Sequence, residues 1–124
     1  MTTRSDALAL AERAQAALDP IEDLTATATT AAPDAVAALH AGDLVVLVKP
    51  PRVEFRTWDV SEATWTVIVA TGPTDDHDTA WDLLDEARDA LVLPLEVDTA
   101  DPGTLRDAQG AEWPALTLTL TTQH

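Results

Sequence analysis

Two apolar runs constrain the chain more than anything else in it: Asp43-Leu44-Val45-Val46-Leu47-Val48 and Thr64-Trp65-Thr66-Val67-Ile68-Val69-Ala70. Both have strand length and are rich in β-branched residues, which fit a pleated, buried surface. The first is nearly continuous in apolar residues and reads as a buried strand. In the second, Trp65, Val67 and Val69 fall on one face. Between them Lys49-Pro50-Pro51-Arg52 interrupts the ladder, because neither proline can donate an N–H. Val53–Trp58 then alternates as a further strand, and Asp59–Glu62 reads as a turn. Near the end of the chain, Leu116, Leu118 and Leu120 alternate with Thr117, Thr119 and Thr121, so the leucines are expected to face a core.

Helices flank these strands. Ser5–Asp19 is rich in Ala and Leu, with Ser5 as the expected cap and Leu8, Ala11, Ala14/Gln15 and Leu18 as its apolar stripe. Asp19-Pro20 stops it. Thr25–Pro33 reads as a weak edge strand or an extended loop. A short helix over Pro33–Gly42 follows, with Asp34 as cap and Gly42 just past its end. Asp75–Leu91 makes the best helix: Thr74 or Asp75 caps it, and Ala80/Trp81, Leu84, Ala87/Arg88 and Leu91 form its buried stripe. Val92–Val97 reads as an edge or bulged strand because of Pro94, and 99–112 as a polar loop. Short consecutive strands with two main helices predict an α+β fold. The simplest packing is a mostly antiparallel sheet of about 4–5 strands with both helices on one face, in a single domain over 1–124.

Charge narrows function. Seven Lys and Arg stand against 22 Asp and Glu, for a net charge of −15. Such a chain lacks the cations that displace phosphate counterions, which argues against ordinary nucleic-acid binding. The absence of Cys excludes disulfides, thiolate metal sites and a Cys nucleophile. No apolar run is long enough to span a bilayer, so no membrane partner is expected. The expected product is soluble and made in the cytoplasm.

Candidate chemistry is sparse. Asp75-Asp76-His77-Asp78 resembles a cation site, but it lacks the glycine turn and distal Glu of a calcium loop, and its acids suit a helix N-terminus. His40 sits at a helix end and His124 at the terminus. Ser5 and Ser61 have no catalytic motif around them, and no phosphate-binding glycine loop exists. The expectation is no catalytic residue, no metal and no cofactor. Lys49, Arg52 and Arg56 form the one local concentration of positive charge. They serve either as edge protection or as a patch that meets the acidic face of another copy. Trp65 and Trp81 are in phase with buried faces, whereas Trp58 and Trp113 stand at loop–strand junctions and are the expected interface tryptophans.

The stretches VLVKPPRVEFRTWDV, ATWTVIVATGP, DTAWDLLDEARDAL and EWPALTLTLTT cover most of residues 43–122. Together they resemble the tail terminator family of long-tailed actinobacterial phages and prophages, minor structural proteins of the tail. The resemblance implies a non-enzymatic α+β virion protein that assembles as a homo-hexameric ring. Such a ring caps the head-proximal end of the tail tube, halts its polymerisation and meets the head–tail connector or head-closure protein. The implied location is the virion, after synthesis in the host cytoplasm. The implied partners are other copies of the chain, the tail tube protein and the connector. DNA would pass through the ring without specific binding, and acids lining the lumen would repel its phosphates. Candidate lumen acids are Asp78, Asp82, Asp85 and Asp89 on the helix and Asp98, Asp101 and Asp107 after it. Neighbouring connector or tail completion proteins are alternatives. So are an acidic DNA-mimic or immunity-type inhibitor of a basic partner and a small metal-dependent enzyme.

Overall fold

A computed structural model describes residues 3–21, 24–55, 61–72, 77–106, 110 and 112–123. Among them the chain forms helices α1 (Thr3–Leu18), α2 (Ala32–His40) and α3 (His77–Leu95). The strands are β1 (Ala26–Thr29), β2 (Leu44–Val48), β3 (Arg52–Phe55), β4 (Ser61–Thr71), β5 (Thr99–Arg106) and β6 (Glu112–Gln123). The fold is α+β, with one six-stranded sheet in the order β1-β2-β4-β6-β5 and β3 also paired to β4. The sheet is mixed: β1 runs parallel to β2, and every other pairing is antiparallel.

The continuous apolar run of β2 has a direct cause. All five of its residues are buried, because both faces of the sheet are covered there. Leu44, Val46 and Val48 join Trp65, Val67, Val69, Leu116, Leu118 and Leu120 beneath α1 and α3. Val45 and Leu47 face the other way, where Ala35 and Leu39 of α2 pack on them with Ala70, Trp113 and Ala115. The expected pair of helices on one face is therefore α1 and α3, and a third helix covers part of the opposite face.

β2 and β3 share one edge of β4. Val48 pairs with Val67 and Arg52 with Thr64, so Lys49, Pro50 and Pro51 stand opposite only Trp65 and Thr66. The extra residue is a bulge that switches which side chains face which way. Val53 and Phe55 consequently pair with Ala63 and Ser61, on the α1/α3 side, and Arg52 and Glu54 take the other side.

At the outer margin of β1, the Gln15 side chain imitates a peptide group. Its Nε2 donates to the Ala26 carbonyl at 2.9 Å, and its Oε1 accepts from the Ala28 N–H at 2.9 Å. The β1 edge is thereby occupied by a side chain from α1.

Several local expectations are corrected. In α1 the buried positions are Ala7, Leu10, Ala11, Ala14 and Leu18, and Leu8 is exposed. Ser5 lies inside α1 rather than capping it, because the helix begins at Thr3. Helix α2 starts at Ala32, and its N-cap residue is Ala31, without a side-chain cap bond; Asp34 sits in the first turn. Gly42 does end α2 as expected. Its φ is 92°, and Asp43 N–H bonds to Ala38 O while Gly42 N–H bonds to Leu39 O, both at 3.0 Å. Ser61 and Glu62 belong to β4, not to a turn. Trp81 packs against the core but is only half-buried.

The largest corrections concern Val92–Val97 and 99–112. Helix α3 continues through Pro94 to Leu95, because Leu95 extends the buried line of Ala80, Leu84, Ala87 and Leu91. Pro94 removes one N–H in the last turn, and the helix then closes with Val97 N–H on Val92 O at 3.0 Å and Glu96 at φ 55°. The expected polar loop contains β5, an exposed edge strand held by its ladder to β6. Pro102 is tolerated there because an edge strand has one side without a ladder. Thr74, Asp75 and Asp76 lie outside the described residues.

Candidate functional site: a cationic and apolar sheet edge

The bulge after β2 creates a compact surface feature. Lys49 and Arg52 lie at its two ends, both exposed, with the Lys49 N–H bonded to Thr66 O at 3.0 Å. Arg52 Nη2 reaches Glu54 Oε1 at 3.4 Å, a pair exposed enough to contribute at most about 1 kcal/mol. On the other side of the strand Val53 and Phe55 are both exposed, Phe55 at 82%. An exposed phenylalanine on a short edge strand, beside an exposed valine, is an apolar contact surface without cover.

Helix α3 presents the opposite kind of surface. Asp78, Asp82, Asp85 and Asp89 recur at spacings of three and four, so they form one line on the side away from the buried stripe. All four are exposed. Arg88 reaches Asp85 and Asp89, each at 3.2 Å. The line continues four residues on to Leu93, which is 84% exposed. Asp98 and Asp101 are exposed as well, just before and within β5.

Not every expected interface residue stands at the surface. Trp113 is 5% exposed and belongs to the α2 cluster, where its ring meets His40 edge-on at 5.2 Å. The reason is its pairing with Leu105, on the sheet face that α2 covers. Arg56, Trp58 and Asp107 lie outside the described residues. The sequence reading gave Phe55 and Leu93 no role. The alternation Val53-Glu54-Phe55 after two prolines already placed two apolar side chains on one face of an edge. Leu93 was legible only once α3 was known to run past Leu91.

Among the described residues, no group of three or more His, Asp and Glu is placed to hold a metal ion. Asp75 and Asp76 lie outside that set. Adding Ca²⁺, Mg²⁺, Mn²⁺ or Zn²⁺ is expected to leave the melting temperature unchanged beyond an ionic-strength effect. A tight site would stabilise the fold by about 2.7 kcal/mol at a hundredfold excess over its dissociation constant. A saturable rise abolished by Asp76→Asn would establish such a site.

No family model and no curated protein sequence matches the chain.

Proposed function

We propose that the protein is a structural virion component, a tail terminator whose copies form a ring at the head-proximal end of the tail tube. The observation that carries this reading is the β3 edge: two exposed apolar side chains preceded by two exposed cations, on a chain of net charge −15. Like charge opposes assembly of such chains, so a specific contact needs local cations and apolar area to offset it. The ring would halt tube polymerisation and offer a surface to the head–tail connector. Exposed acids such as Asp98 and Asp101 suit a lumen through which DNA slides without sticking.

Arg52→Glu, alone or with Arg56→Glu, is expected to leave the monomer folded by circular dichroism. In phage lysates it is expected to give tails of uncontrolled length or tails that fail to join heads, scored by electron microscopy. Normal virions from a folded charge-reversed variant would remove these arginines from the contact. Normal virions from a strain lacking the gene would overturn the terminator reading.

A further inference from the structure

We propose that the β3 edge of one copy docks on the outer face of α3 in a second copy, with Lys49 and Arg52 against the aspartate line and Val53 and Phe55 against Leu93. This rests on the ring reading in requiring that copies associate through a contact that repeats.

Two observations point to this occupant. The first is complementarity of charge: Lys49 and Arg52, two of the chain's seven Lys and Arg residues, stand together at the bulge, and the outer line of α3 carries Asp78, Asp82, Asp85 and Asp89 with Arg88 beside it. The second is the apolar match. Phe55 and Leu93 are the two most exposed large apolar residues described; Phe55 lies three residues from Arg52 on the opposite face of the β3 edge, and Leu93 one turn beyond Asp89 on the line of α3. A contact that joins them covers both and keeps opposite charges in register.

The two surfaces cannot meet within one copy. The buried stripe of α3 lies on the sheet, so its aspartate line points away from the sheet that carries β3. Because the ring reading needs a contact that repeats from copy to copy, the contact is taken as heterologous, which gives rings or open chains; a wild type that stops at a dimer, with β3 and α3 paired reciprocally, overturns that arrangement. The assignment also divides the acids. The α3 line belongs to the subunit contact, and Asp98 and Asp101 are left to face the lumen.

The test uses two variants of the full chain. One is altered at β3 (Lys49→Glu, Arg52→Glu, Phe55→Ser) and the other at α3 (Asp82→Asn, Asp89→Asn, Leu93→Ser), so that the two altered surfaces do not complement each other. Sedimentation velocity is expected to show wild-type species larger than a dimer that grow with concentration. Each variant alone should remain monomeric. Their equimolar mixture should form a 1:1 dimer and nothing larger, because one intact β3 meets one intact α3. If a triple variant fails to fold by circular dichroism, Phe55→Ser and Leu93→Ser singly should each weaken association at least tenfold. A wild type that stays monomeric at every concentration overturns the proposal. So does a variant that assembles alone as the wild type does, or a mixture that stays monomeric beside an assembling wild type. In the last two cases the contact lies elsewhere, and the ring reading is judged separately by the morphology of tails in lysates.

Discussion

Trp65→Ala is expected to lower stability by about 3–5 kcal/mol, the usual cost of emptying a large buried aromatic site. For a domain whose whole stability is of order 5–15 kcal/mol, that is a fall in melting temperature of roughly 10–20 °C. Trp65 is 2% exposed, pairs across the sheet with Leu120, and donates Nε1–H to Thr122 Oγ1 at 3.1 Å. Truncation therefore leaves both a cavity and a hydroxyl without its donor. Trp113→Ala is expected to cost nearly as much, unlike the interface tryptophan that the sequence suggests, because it is buried against α2 on the second sheet face. Trp81→Ala should cost less than either, since part of that ring is already in water. Urea melts of the three variants test the order. A near-neutral Trp113→Ala would mean that α2 does not cover that face in solution.

Gly72→Ala is the second large effect, expected at about 3 kcal/mol, the upper end of what overpacking usually costs. Gly72 follows β4 at the point where that strand passes the end of α2. A methyl group there would stand 2.6 Å from the Leu39 carbonyl oxygen and 2.8 Å from Gly42 Cα. Both are backbone atoms, so no side chain can swing aside. Relief would require breaking the Gly72 N–H bond to Asp43 O, at 3.1 Å, or unwinding the end of α2. Gly103→Ala is the matched control, with nothing within 4 Å of the added carbon. If the two variants melt alike, the close approach of β4 to α2 is not as described.

What the sequence made legible follows from where burial acts. β2, β4 and β6 were readable because their side chains are sorted by a core. β5 was not, because Thr99–Arg106 is exposed and is held by backbone hydrogen bonds to β6, which leave no apolar pattern. Pro94 misled for a related reason. A local rule disfavours it in a helix, but burial of Leu95 at the end of the stripe outweighs one missing bond. The second covered face was available in principle: a run of five apolar residues without alternation requires cover on both sides, and α2 provides it. For the site, the cations Lys49 and Arg52 and the acids of α3 were legible as charge. Their apolar companions were not, because exposure of Phe55 and Leu93 is a property of the folded surface rather than of the local pattern.

The Gln15 amide has a consequence for the order in which the chain is made. It contacts Ala26 and Ala28, eleven and thirteen residues downstream, whereas β1 waits for β2 to obtain its first strand partner. Short loops close cheaply and fast. As the chain emerges from the ribosome, α1 can therefore take hold of β1 before residues 44–48 have left the exit tunnel. The same side chain that ends the sheet in the finished protein serves the nascent one as a placeholder, keeping one edge of an unpaired strand occupied until its permanent neighbour arrives.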